Sequence, residues 1–426
     1  MKLKRPIAIA LLTVSLGLTA FCQYKYPVAP PTSDVLHKHE PEETVVIMVP
    51  EMTELGIPTA NSFSQQLFNS RNPWDIVFFD GKLYIGCGDY GQNTGPCSVW
   101  QYDPETKLWT DTGKVNDEAI VNFETIGDKL IITGTDPKSG WDYGNFYVYT
   151  DEGWQTDSTV PYGVHMFDIA EYQGKTFYGI GTANNKQSPI QMTEDGINYI
   201  NVPIYYDDIE VIDNPDYGYS RCYNLFESDN GLYAFCWLTD GNGKSKTFSM
   251  FKYDGEGFRY ITKLGALGVK SLGSNRQLPL NKALTYNGRF YFTAGLLYST
   301  KDFTEVTCHS LPDNAYVEDL LVKDGKLYVL TSVEKKTETF DENGQPKVVI
   351  SYTNKIFEYS EGTDFTEVYS FDYGVSAMSL EKNGNTFYIG MGKMTDSITP
   401  PTVTESPVLL NGTILQVEFI EKIIIM

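Results

Sequence analysis

Arginine is scarce in this sequence, with six in 426 residues, and histidine occurs only four times. Asp and Glu number 55 against 33 Lys and Arg, for a formal net charge of −22. A surface so short of cations repels nucleic acid and polyanionic glycans, which bind through charge neutralisation. Nucleic acid is therefore excluded as an expected partner. Charged residues reach only 21%, too few to clothe long amphipathic helices. Cysteine is sparse as well. Cys87, Cys97, Cys222, Cys236 and Cys308 lie beyond the N-terminal leader, an odd set without zinc-type spacing. Cys87 and Cys97 flank one loop and read as buried thiols, with a bridge open to them only in an oxidising compartment. Three catalytic signatures are missing: a Gly-x-Ser-x-Gly elbow, a phosphate loop and a His-Glu-x-x-His helix. No stretch after the leader is long and apolar enough to cross a bilayer.

What the chain does have is apolar and aromatic. Hydrophobic residues make up 41%, with 30 Tyr and 23 Phe, in segments that favour strands over helices. The expectation is an all-β protein with a large core. Its first residues, Met1-Lys2-Leu3-Lys4-Arg5, lead into an apolar run from Pro6 to Phe21. Residues 1–22 thus read as a secretory signal peptide. Cleavage after Cys22 yields a secreted protein. The alternative is a lipoprotein with Cys22 as its lipidated first residue, held at the cell surface by that anchor alone. Residues 23–42 are Pro-rich and polar, a disordered linker in which His37 and His39 read as solvated.

A short phrase recurs seven times: apolar residues, a tight turn of Asp, Asn and Gly, then Leu-Tyr or Phe-Tyr. It begins with Phe79-Asp80-Gly81-Lys82-Leu83-Tyr84 and returns around Gly127, Gly174, Gly231, Gly288, Gly325 and Gly384, at spacings of 37 to 59 residues. Each phrase reads as a two-residue hairpin between alternating strands. A second hairpin follows most of them, as in 100–109, 148–154 and 251–260, with further versions at Thr193-Glu194-Asp195-Gly196 and 358–362. Two hairpins make four strands, one propeller blade. Seven such units disfavour a two-sheet sandwich, and a parallel β-helix needs shorter, more even repeats. Residues 412–419 read as the third strand of the last unit, with 423–425 a candidate fourth. The orphan strand 43–49 is expected to complete that unit and close the ring, leaving 50–72 as an excursion.

This pattern resembles the kelch-like and WD-type propeller superfamily over roughly residues 43–420. The resemblance implies a seven-bladed β-propeller of four-stranded antiparallel blades spanning 43–426. The Gly-Gly pairs of kelch repeats and the Trp-Asp ends of WD repeats do not recur here. Thr193-Glu194-Asp195-Gly196 is similar to the Asp-box of sialidase-type propellers, a structural hairpin in that family. Arg71, Arg221, Arg259, Arg276 and Arg289 form no recognisable sialidase triad. Propellers serve many functions, so the likeness implies a fold and not an activity.

In such a blade, the loop between second and third strands opens on the same face as the connection to the next blade. Three neighbouring segments stand out there: 88–96, 134–145 and 161–168. Separately, aligning the hairpins puts Asp75, Asn122, Asp168, Asn224, Lys282 and Asp319 at equivalent points of the innermost strands, near the channel mouth. Read functionally, Asp75, Asp89, Tyr90, Asn93, Asp136, Trp141, His165 and Asp168 form a ligand-binding pocket. Trp141 with Tyr90 or Tyr143 would stack a sugar ring while acids and amides hold its hydroxyls. The same oxygens suit Ca²⁺. Read structurally, Asp, Asn and Gly are what tight loops need, and inner-strand Asp residues pin neighbouring blades. In an enzyme, His165 would be the general base, oriented by Asp168 or Asp75. His309 falls in an outer hairpin and reads as structural.

Two functions are therefore expected. The first is a monomeric extracytoplasmic module that binds a glycan, peptide or extracellular partner protein through the loops of one face. The second is a carbohydrate-active enzyme, a glycoside hydrolase or polysaccharide lyase, with His165 and Asp168 catalytic. An envelope spacer with neither property is a third. The missing catalytic motifs favour binding.

Overall fold

A computed structural model describes residues 44–61, 69–89, 95–138, 140, 142–182, 187–207, 209–210, 220–239, 246–269, 282–359, 364–393 and 410–425. The chain divides into two units, 47–422 and the terminal segments 1–46 with 423–426. Of the terminal unit, the described residues 44–46 and 423–425 are extended strand ends. The signal and linker expected over 1–42 lie outside the described residues. The larger unit contains every candidate residue that is described.

Strand β1 (Thr44–Gly56) precedes a four-stranded sheet of β2 (Pro73–Phe79), β3 (Lys82–Cys87), β4 (Cys97–Asp103) and β5 (Leu108–Val115), in that order. Next come β6 (Asp117–Ile126), β7 (Lys129–Pro137), β8 (Tyr143–Thr150) and β9 (Gly153–Pro161). They are followed by β10 (Gly163–Tyr172), β11 (Lys175–Thr182), β12 (Ile190–Thr193) and β13 (Ile200–Asn201). After β14 (Ile204–Tyr206) and β15 (Ile209–Glu210) stand β16 (Arg221–Ser228), β17 (Gly231–Thr239), β18 (Lys246–Tyr253) and β19 (Phe258–Lys263). Strands β6 to β19 join as one 14-stranded sheet, because β10 also pairs with β7 and β11 with β16. Two further four-stranded sheets are β20 (Ala283–Tyr286), β21 (Arg289–Thr293), β22 (Leu297–Thr300), β23 (Thr307–His309), and β24 (Tyr316–Lys323), β25 (Lys326–Phe340), β26 (Pro346–Tyr359), β27 (Thr366–Tyr373). The last sheet runs β28 (Ala377–Asn383), β29 (Thr386–Met391), β30 (Thr413–Ile425), with β1 beside β30.

All seven phrases of the sequence fold as two-residue hairpins between a first and a second strand. In the Asp80-Gly81, Gln173-Gly174, Asn287-Gly288 and Asp324-Gly325 turns both residues have positive φ, the mirror-image turn that matches strand twist. Residues 50–56 extend β1, and 423–425 continue β30; neither is an excursion or a separate strand. First strands lie side by side: β2 against β6 and β28, β10 against β6 and β16, β20 against β16 and β24, and β24 against β28. Four-stranded antiparallel meanders repeated in this way are β-propeller architecture.

Apolar side chains from adjoining units interlock to form the core. Tyr84 and Val99 pack with Ile120 and Leu130, and Phe177 with Leu232 and Phe251. Each such side chain, fully buried, contributes about 1.5–3 kcal/mol. Cys87 and Cys97 are buried unbridged thiols, the former held protonated by burial. Thr193-Glu194-Asp195-Gly196 is a capped turn in which the Asp195 carboxylate accepts the Ile197 and Asn198 amides. His309, on the outermost strand β23, bonds the Ser299 hydroxyl at 2.8 Å.

Candidate functional site

Bulges in the first strands decide where the inner acids go. Asp75, Asp168 and Asp319 each follow a register shift in β2, β10 and β24, and a bulge re-aims the side chain beside it. Asp75 accepts the Phe123 amide at 2.8 Å, Asp168 the Leu225 amide at 2.7 Å and Asp319 the Leu380 amide at 2.7 Å. Each amide belongs to the next unit's first strand, just past its own bulge. Glu381 on β28 likewise accepts the Phe78 amide of β2 at 3.0 Å. These carboxylates pin one unit to the next.

Lys282 enters this inner group directly before β20. Its Nζ lies 2.8 Å from Asp75 Oδ1 and 3.6 Å from Asp319 Oδ1. Burial disfavours the ammonium, but Asp319 and Asp75 together hold its pKa above the ordinary value. Asp319 itself is pushed up to about 7 by burial, against the pull of Lys282. Glu124 is raised well above the carboxylate range by burial and the Asp168 charge; Asn122 donates to it, and it shares a proton with Asp168.

A second group lies where the β3–β4 and β7–β8 loops open. Asp89 is fully buried and its amide donates to the Glu118 carbonyl at 3.0 Å, next to a bridge between Gly88 and Ala119. Glu118, on β6, is hydrogen-bonded to Asp136. Burial first, then that bond and the charges of Asp136 and Asp89, push Glu118 up to about 9, so it carries a proton at neutral pH. Burial also raises neighbouring Asp117 to about 7, although Tyr147 and Asn145 donate to it. Asp136 leaves β7 with a φ of 53°, a left-handed turn that Asp tolerates.

From that turn Asp136 Oδ1 reaches to 3.0 Å from Nδ1 of His165, on β10. Burial lowers the His165 pKa to about 4; Asp136 opposes this, and the Arg221 charge adds to it. The imidazole is thus neutral, and its buried Nδ1 lies beside the Asp136 carboxylate without a hydrogen bond to it. Its ring stacks on Phe167 at 5.2 Å. One cross-strand row runs through it: Thr135, His165, Gly181, Arg221, Trp237 and Phe248 are successive partners on β7, β10, β11, β16, β17 and β18. A Cβ on Gly181 would stand 2.5 Å from His165 Cδ2, so the glycine is what lets the ring lie across towards β16.

Asp136 and His165 lie side by side, and Asp89 acts on Glu118 beside them. Asp75 and Asp168 belong to the inner group. Asp168 does not orient His165, because the Leu225 and Ile169 amides occupy its oxygens; the carboxylate beside the imidazole is that of Asp136. Tyr90, Asn93 and Trp141 lie outside the described residues. Sequence reasoning missed Glu118, which lies near the start of β6 and outside the loop segments that stood out. It also passed over Arg221, whose place in the row depends on pairing between units. Among the described residues, no group of three or more His, Cys, Asp or Glu is disposed to hold a metal ion, so no Ca²⁺ site is built from them.

Fold and site together define a β-propeller-type protein with an acid–histidine cluster at one end of its strands. Neither a family profile nor a curated protein matches the chain. Among solved structures it is similar to selenomethionine-substituted virginiamycin B lyase from Staphylococcus aureus, at 12% identity and a TM-score of 0.47, covering 87% of this chain and 100% of that one. It is also similar to the computationally designed Ika8 protein, at 10% identity and a TM-score of 0.43, over 82% and 97% of the two chains. The β-propeller domain of the Trilobed protease from Pyrococcus furiosus aligns at 13% identity and a TM-score of 0.38, over 68% and 78%.

Proposed function

We propose that the protein is an exported, seven-bladed propeller that recognises a glycan at the mouth formed by Asp89, Glu118, Asp136 and His165. The seven hairpin phrases and the return of β28 to β2 support a closed ring of seven blades in the manner of kelch-like and WD-type propellers. The position of β1 beside β30 supports closure by the N-terminal strand. The basic and apolar start of the sequence supports export, as a secreted protein or one anchored through Cys22.

One observation carries the recognition reading. Two successive units bring together a protonated acid, Glu118, with the Asp136 carboxylate and the neutral imidazole of His165. Sugar hydroxyls donate and accept at once, so a mixed set of this kind suits them. The test is calorimetric titration of the purified protein with a panel of neutral oligosaccharides, with and without added Ca²⁺. Saturable binding that Glu118→Ala weakens, with the glycan left intact, is the expected result; absence of binding across the panel defeats the reading.

A second reading is favoured by the Asp136–His165 distance alone. A neutral imidazole 3.0 Å from a carboxylate is a general base in form, as a carbohydrate-active hydrolase or lyase would need. Mass spectrometry of the same glycans after incubation tests it. Fragments that vanish in His165→Ala would establish the enzyme.

A further inference from the structure

Arg221 opens β16 between two very different neighbours in its row. Gly181 lies on one side, with His165 beyond it, and Trp237 lies on the other. A hydrogen bond with the Tyr223 phenol holds the guanidinium. Its Nε is buried and has no hydrogen-bond partner among the described residues. By contrast Arg259, the same residue type on an exposed hairpin, is paired with Asp254 at 2.7 Å. In a chain with 55 acids and only six arginines, a half-buried guanidinium with an unanswered N–H is a group arranged for an incoming acceptor. A carboxylate fits the planar fork best.

The rest of the row limits what carries that carboxylate. Phe248 is 37% exposed and stacks on Trp237 with ring centroids 6.1 Å apart. They provide aromatic surface on which the apolar face of a pyranose can rest, one and two strand spacings from the cation. On the opposite side, His165, Asp136 and Glu118 offer groups for hydroxyls. The net charge of −22 opposes a polymer of acidic sugars, whose remaining charges would find no cation.

We infer that Arg221 binds the carboxylate of a single uronic acid on an otherwise neutral glycan, with Trp237 and Phe248 under the ring. The inference rests on the glycan reading of the mouth and adds the ligand's charge to it.

The experiment titrates the full protein with three matched probes. They are a neutral oligosaccharide capped by one glucuronic acid, its methyl ester, and the uncapped parent. The acid binds wild type roughly tenfold or more tightly than the ester, the scale of one charge-assisted contact. Arg221→Met erases that gap, the acid losing more affinity than the ester. Equal binding of acid and ester by wild type overturns the inference and leaves the glycan reading standing; this comparison needs no variant. No binding of any probe overturns both. Binding of a peptide with a free C-terminal carboxylate, but of no sugar, overturns the sugar assignment.

Discussion

The Asp136 carboxylate lies 3.0 Å from Nδ1 of His165, which belongs to the following four-stranded unit. The pair makes His165 a reporter for the whole mouth. With its pKa lowered from 6.5 to about 4, the imidazole stays neutral where the unfolded chain protonates. The sign follows: stability from this group is complete above pH 6.5 and is lost as pH falls through about 4. That loss is about 3 kcal/mol. In NMR titration, Asp136→Asn lowers the His165 midpoint further, whereas Arg221→Met raises it. Opposite shifts would mean that Asp136 and Arg221 do not set the imidazole's charge.

Lys282 sits between Asp75 and Asp319, contributed by three different first-strand regions. Lys282→Met removes the cation and leaves two buried carboxylates facing each other. A broken buried ion pair costs about 3–5 kcal/mol, read as a lower midpoint in urea unfolding. Adding Asp75→Asn to that variant recovers part of the loss. If the single variant melts like wild type, the first strands are not held together by this triad.

Asp168 tests the pinning of one unit by another. Its Oδ2 accepts the Leu225 amide at 2.7 Å, so Asp168→Ala strands a buried donor at a cost of about 1–3 kcal/mol. Asp168→Asn keeps the acceptor. The wild-type carboxyl is raised to about 7, burial being the main cause. Its contribution is therefore fully present below the unfolded value near 3.8 and is lost as pH rises through about 7. Asn cannot titrate, so thermal melts of Asp168→Asn should lack that decline. A parallel decline in both proteins would assign it to other groups.

The fold was legible because its signals are local. Asp80-Gly81, Asn287-Gly288 and two relatives take positive φ at both turn residues, and seven tight turns at similar spacing specify repeated hairpins. The candidate site was legible only where a loop was unusual, as at Asp89, Asp136 and His165. Asp168 was misread because composition does not tell a carboxylate facing a ligand from one facing the Leu225 amide. That choice is made by the bulge between Met166 and Asp168. Arg221 was invisible for a related reason: its neighbours in the row lie on strands far apart in sequence, and register between units leaves no local mark.

Glu118 gives a prediction at alkaline pH. Its carboxyl is raised from 4.5 to about 9, burial leading and the bond with Asp136 next. Stability from the bound proton is complete below 4.5 and is lost as pH climbs through about 9. Glu118→Gln mimics the protonated acid and can still donate to Asp136. Its advantage over wild type should grow between pH 4.5 and about 9 to on the order of 1–3 kcal/mol, the cost of a buried unpaired charge after relaxation. Chemical denaturation at several pH values reads the difference, and a constant offset would contradict the assignment.

Gly181 offers the sharpest probe of the row, because a single methyl group tests it. An added Cβ would stand 2.5 Å from His165 Cδ2 and 3.1 Å from its Cβ and Cγ, closer than packed atoms tolerate. Gly181→Ala must push the imidazole away from β11. Overpacking of this kind costs about 1–3 kcal/mol, but the informative readout is the ring itself. Displaced towards solvent, His165 recovers a pKa nearer 6.5, since burial was the main cause of its depression. Glycan binding at His165 weakens in the same variant. An unshifted His165 titration in a stable Gly181→Ala protein would show that the ring does not lie over the glycine, and the row would lose its central contact.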